Sequence, residues 1–141
     1  MRAATLSLLL LPLFASAEAL LDLRVGAARL QVEYARSPAE RERGLMERTE
    51  LSADRGMLFR FDDFRRHCLW MKNTPLPLSA AFMDEQGRVV DIIDLQPQDL
   101  TIRCSNEPAR YALEVNQGWF DQHRVAIGDH VGGIPKSSGT R

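Results

Sequence analysis

Apolar side chains recur at every second position in several separate stretches, and that period confines the chain to a sheet-built fold. Leu21, Leu23 and Val25 alternate with Asp22 and Arg24, and Leu30, Val32 and Tyr34 alternate with Arg29, Gln31 and Glu33. Each pattern gives a strand with one buried face. Gly26-Ala27-Ala28 between them suits a hairpin turn. Met57, Phe59 and Phe61 share one face of a strand predicted over 56–61, and His67 to Met71 reads as another. Tyr111, Leu113 and Val115 alternate with Ala112, Glu114 and Asn116. Residues 78–83 and 88–94 make two more strands, joined by Asp84-Glu85-Gln86-Gly87, where the glycine can take a positive φ. A short final strand is expected around His130-Val131.

Helix signals are few. Ser37-Pro38-Ala39-Glu40 is a capping box with proline at the first helical position, and the helix it opens is expected to reach about Met46. Gly44 is unfavourable inside a helix, so it marks the last turn or a close approach. Asn116 is expected to cap a second short helix through Trp119 and Phe120. Asn73-Thr74-Pro75-Leu76-Pro77 cannot be a central strand, because its prolines remove donors. Residues 96–108 form the longest irregular stretch. These elements predict an α+β domain: an antiparallel-dominated, partly closed barrel-like sheet of seven or eight short strands with two short helices.

Residues 1–17 have the three-part form of a cleavable secretory signal. Arg2 gives the positive start, Leu6 to Phe14 is the apolar run, and Ala15-Ser16-Ala17 supplies small residues before Glu18. A spanning helix needs roughly 20 apolar residues, more than this run offers. The expected plan is a signal over 1–17, one globular domain over 18–131 and a flexible Gly/Ser/Pro-rich tail over 132–141. The mature protein is then periplasmic or secreted, with no membrane span. Losing Arg2 leaves 17 basic against 19 acidic residues, a net charge of −2, which argues against nucleic acid as a partner. Ten arginines crowd the stretch from Arg24 to Arg66, but eight carboxylates share it, as on a mixed solvated surface.

Cys68 and Cys104 are the two cysteines. In an oxidising compartment a structural disulfide is the first reading, and closing that loop contributes roughly 3–4 kcal/mol in the chain-entropy model. A metal ligand and a reactive thiol are the alternatives. His67, His123 and His130 are scattered without zinc-ligand spacing, and no nucleophile elbow or phosphate loop is present, so neither a metal nor a cofactor is expected. Trp70, Lys72, Asn73 and Thr74 sit together before the proline-rigid bend, which suits a small-molecule pocket. Their structural alternative is a core tryptophan and a bonded turn. Arg43 and Arg48 flank the first helix's end and suit forked recognition of an anion, or else an ion pair with Glu114 or Glu107.

The blocks RERGLMERTELSADRGMLF, LWMKNTPLPLSAAFMDEQGRVVDI and PARYALEVNQGWF resemble the signature of the "domain of unknown function 192" family over essentially the whole mature chain. Arg43, Gly44, Arg48, Gly56, Trp70, Lys72, Asn73, Thr74 and Glu114 are among the matching positions. The resemblance implies a sheet-rich α+β domain with no established activity and no catalytic residues to carry over. It also implies that Cys68 and Cys104 are paired, as in the family's exported bacterial branch. Ser79 stands where the pattern has an acidic residue, which removes any carboxylate role there. The function expected is non-enzymatic binding of a small polar or anionic ligand, or of a partner protein, through Trp70, Lys72, Asn73 and Thr74, with Arg43 or Arg48 and Glu114. The alternatives are a hydrolase-like carboxylate site using Glu114, Glu107 or Asp94, and an interaction module presenting an exposed apolar patch.

Overall fold

The structure, a computed structural model, describes residues 19–137. The signal expected over residues 1–17 and the tail end at 138–141 lie outside the described residues. In chain order the elements are β1 (Leu21–Val25), β2 (Ala28–Ala35), α1 (Pro38–Arg43), β3 (Arg55–Arg65), β4 (Cys68–Leu69) and β5 (Leu78–Met83). There follow β6 (Val89–Leu95), β7 (Arg103–Cys104), β8 (Ala109–Asn116), α2 (Trp119–Gln122) and β9 (Val131–Gly132).

Seven strands form one sheet in the order β6-β5-β8-β3-β2-β1-β9. Its pairings are antiparallel except β2 with β3, which run parallel because the α1 crossover returns the chain in the same direction. The sheet is therefore mixed at one pairing, within the expected α+β class. It also curls. β6 and β9 stand at opposite ends of the strand order, yet Val89 N–H donates to the Asp129 carbonyl and Gly128 N–H to the Val89 carbonyl, both at 2.8 Å. Arg88 bridges His130 beside them. The result is the partly closed barrel that the short alternating strands predicted.

The inner face of the sheet is covered, and so is the outer face over β3, β8 and β5. Inside the curl, Leu23, Val32, Leu58, Leu113 and Val115 pack with Trp119 and Phe120 of α2. On the outer face, Phe59, Leu78, Ala80, Phe82 and Ala112 pack beneath Leu45, Met71 and Leu76. β5 is buried at every position, as its unbroken Leu-Ser-Ala-Ala-Phe-Met run requires of a strand covered on both sides.

Local outcomes differ from expectation in several places, and β3, expected over 56–61, runs on to Arg65. α1 carries the predicted capping box: Glu40 N–H donates to Ser37 Oγ at 3.1 Å, and Ser37 N–H to Glu40 Oε1 at 2.9 Å. It ends at Arg43 rather than Met46, because Gly44 turns to φ 47°. Asn116 does not cap α2. Gly118 takes that place at φ 88°, and the Asn116 amide instead donates to the Leu51 carbonyl at 2.8 Å. The strand expected over 67–71 shrinks to Cys68–Leu69. Its partner β7 arises inside the stretch read as irregular. At the other end, Ile134 still packs against the inner core, beyond residue 131.

Candidate functional site

The site grows from the middle of the sheet. β8 lies between β3 and β5, with Glu114 opposite Met57 on one side and Ala80 on the other. Gly56 lets the strands close there, since a Cβ on it would stand 2.4 Å from the Glu114 carbonyl oxygen. Strand alternation puts Tyr111, Leu113 and Val115 inside the curl, so Glu114 shares the outer face with Ala112. That face is roofed by the segment that carries Trp70 to Thr74.

Several bonds hold the roof down. Cys68 and Cys104 are paired strand partners joined by a disulfide, with sulfurs 2.01 Å apart. Ser105 N–H donates to the His67 carbonyl and Met71 N–H to the Asp99 carbonyl, both at 2.9 Å. Gln98 N–H donates to the Thr74 carbonyl at 3.0 Å. Glu47 N–H donates to the Asn73 carbonyl at 2.6 Å, with Asn73 held at φ 53°.

Between roof and sheet is a pocket of about 230 Å³. Its apolar walls include Leu45, Met46, Phe59, Phe61, Leu69 and Met71. Arg43, Trp70, Thr74 and Glu114 also line it, so four of the seven candidate ligand residues meet at one place. Glu114 is 5% exposed, and among the described residues its carboxyl makes no hydrogen bond or ion pair. Burial alone pushes that carboxyl up to about 7, since nothing offsets the loss of water around the charged form. Trp70 is 43% exposed and sits at the pocket's edge, which decides against a core role for it. Arg43 is exposed and forms no ion pair among the described residues.

The other three candidates sit elsewhere. Arg48 reaches Glu33 with both guanidinium nitrogens, at 2.6 and 2.8 Å, across a neighbouring groove. That pairing holds Glu33 below the usual carboxylate range. Lys72 lies outside the lining, its ammonium 5.2 Å from the centre of the Trp70 ring. Asn73 is a turn residue whose exposed side chain is not among the lining groups. Thr74 also serves the turn, donating its hydroxyl to the Lys72 carbonyl at 3.0 Å. The helix-to-sheet ion pair belongs to Arg41, which meets Asp62 at 3.0 Å, and not to Arg43 or Arg48 with Glu114 or Glu107. Glu107 and Asp94 are exposed and outside the pocket, and Asp94 accepts the Ser79 hydroxyl at 2.7 Å. His67 stacks on Phe61 at 3.8 Å, and burial lowers its pKa. Among the described residues no cluster of three or more His, Cys, Asp or Glu side chains is placed to hold a metal ion.

The pocket walls were the part of the site that residue reading did not assign. Leu45, Phe59 and Phe61 carry ordinary core patterns, and only the unpatterned Trp70-to-Thr74 segment hinted that something covers them. A larger open depression of about 640 Å³ lies along β1 and β2. Arg24, Arg29 and Arg55 share it with Asp22 and Asp54, and no group there is both buried and unpartnered.

The family model of DUF192, described as an uncharacterized ACR, matches residues 21–133, and the chain belongs to that family. Two solved structures share the fold. One, a protein from Sinorhizobium meliloti 1021 described as a candidate transcription regulator, is 37% identical; the match covers 84% of this chain and 96% of that one, with a TM-score of 0.80. The other, a protein of unknown function from Novosphingobium aromaticivorans DSM 12444, is 32% identical, with 83% and 93% covered and a TM-score of 0.75. No curated protein matches the chain.

Proposed function

We propose that this DUF192 chain is exported, loses residues 1–17, and works outside the cytoplasm as a domain that binds a small polar ligand in the Glu114 pocket. One observation carries the binding reading: a central-strand carboxyl, 5% exposed, faces a cleft without a protein partner. Its oxygens keep some exposure toward the cleft and have no protein partner, so what satisfies them, water or a ligand, arrives from outside. Ionisable groups perturbed by burial and set in clefts are enriched at functional sites. Export draws support from the charged, apolar and small-residue order of residues 1–17. It also draws support from a disulfide between two exposed cysteines, which a reducing cytosol would keep open. Nucleic-acid binding, which the description of one relative suggests, gains nothing from a net charge of −2 after Arg2 is removed.

A fragment screen by thermal shift tests the site. Some fragments should stabilise the wild type and lose that effect with Glu114→Gln; a library without any such fragment refutes the binding reading. Cell fractionation with N-terminal sequencing tests export: the mature chain should begin at Glu18, and an intact cytosolic chain refutes it.

A second reading rests on the same carboxyl. A group titrating at about 7 suits proton transfer near neutral pH. Turnover of an ester, glycoside or peptide panel, abolished by Glu114→Gln with the fold intact, would favour catalysis over binding.

A further inference from the structure

The Glu114 pocket carries unmatched charges of opposite sign at its floor and its rim. Glu114 has no partner at the floor, and Arg43 has none at the rim. The two are not ion-paired with each other. The remaining charged groups of the lining are Arg41, already bonded to Asp62, and Glu42, which is exposed. The walls between are apolar or aromatic, and the one hydroxyl among them, on Thr74, is spent on the Lys72 carbonyl.

Each class of ligand meets this lining differently. An anion at the floor would face the Glu114 carboxylate. A polyol would give up its hydration for walls that return almost no hydrogen bonds. A protonated amine pairs with the carboxylate and also suits the ring faces of Phe59, Phe61 and Trp70. Trp70 already receives one ammonium, that of Lys72. The volume of about 230 Å³ falls below the roughly 300–1,000 Å³ of pockets for drug-sized ligands. We infer that the ligand is a small zwitterion of the amino-acid type, with its ammonium inward on Glu114, a short apolar side chain against the walls, and its carboxylate outward on Arg43. This assignment rests on the binding reading above and names the ligand class.

The test uses four probes on the mature, oxidised protein: leucine, 3-methylbutylamine, 4-methylpentanoate and glycerol. Titrations are followed by the Trp70 indole signal in nuclear magnetic resonance spectra. Leucine should bind, 3-methylbutylamine should bind about tenfold more weakly, and the other two should leave the indole unmoved. Arg43→Ala should reduce leucine to the amine's affinity and leave the amine unchanged. Glu114→Gln, checked as folded by its spectrum, should abolish both. Equal binding of 4-methylpentanoate and leucine overturns the zwitterion, as does unchanged leucine binding by Glu114→Gln. Binding of glycerol alone overturns the ligand class while the pocket reading stands. Silence of all four probes overturns the class too, and the pocket reading falls only if the fragment screen is also silent.

Discussion

Replacing Glu114 with glutamine should stabilise the protein in alkaline buffer and leave it nearly unchanged in acid. Burial raises the Glu114 carboxyl from its ordinary 4.5 to about 7, and no other group shares in the shift. A carboxyl whose pKa is higher in the folded state binds its proton more tightly there than in the unfolded chain. Its contribution is therefore fully present below pH 4.5 and is lost as the pH rises through 7. The gap between those values, at 1.36 kcal/mol per pH unit, amounts to about 3 kcal/mol. Glutamine has nearly the same shape and never ionises, so it matches the protonated acid at low pH and escapes the penalty at high pH. For a domain of this size, about 3 kcal/mol corresponds to roughly 10 °C in Tm. Urea denaturation of both proteins from pH 4 to pH 9 measures the effect directly. The two curves should coincide below about pH 4.5, separate between 4.5 and 7, and stay about 3 kcal/mol apart above 7, with the variant on top. Curves that stay parallel from pH 4 through pH 7 would mean that the carboxyl is as well solvated folded as unfolded, and the account of an unpartnered acid under the roof would fail.

Removing the disulfide with Cys68→Ser and Cys104→Ser should cost about 3–4 kcal/mol, because the bridge closes a loop of 36 residues. It should also speed hydrogen exchange at the Met71 and Gln98 amides, which tie the roof; unchanged midpoints and exchange would contradict this. Gly56→Ala should destabilise by about 2 kcal/mol or more, since its methyl would stand 2.4 Å from the Glu114 carbonyl; a Tm equal to wild type would show that the strands part freely. Arg48→Ala should cost less than about 1 kcal/mol at pH 7, as the pair with Glu33 is partly exposed. The pairing lowers the Glu33 pKa, so this contribution is present above the ordinary carboxylate range and fades as acid protonates Glu33. Denaturation followed downward from pH 7 should show the gap close as Glu33 takes up its proton, and a gap that does not shrink in acid would point to packing instead.

Much of the fold could be read from periodicity. The alternations at Leu21–Val25, Leu30–Tyr34 and Tyr111–Val115 gave strands with the right inward faces, because one apolar residue in two has one physical solution in a sheet. The box at Ser37 and Glu40 gave the helix start for the same local reason. Helix ends were harder. Gly44 stops α1 through backbone freedom, and Gly118 opens α2 from a left-handed conformation, so the expected Asn116 cap was preempted by a tertiary bond to Leu51. The parallel β2–β3 pairing was not visible either, since strand period carries no direction. Nor did anything local show β4 and β7, whose pairing depends on two cysteines far apart in sequence.

The site was legible in part, and the reason lies in what a strand pattern leaves unsaid. Glu114 follows the polar phase of β8, and alone that phase reads as a solvated face. The neighbouring β5 run, Leu78 to Met83, has no polar phase beyond Ser79, which means that the same face is covered there. A glutamate on a central strand beside such a run has to be buried as well. The cover must then be a segment that cannot itself join the sheet, and Asn73-Thr74-Pro75-Leu76-Pro77 is such a segment. Lys72 and Asn73 looked like ligand groups because they flank that bend. Their side chains are exposed and off the lining, while the neighbouring Trp70 and Met71 line the cavity. The acid of the pocket therefore comes from the sheet beneath, where Glu114 faces apolar walls, and the roof confines it to the narrow cleft through which water or a ligand reaches it.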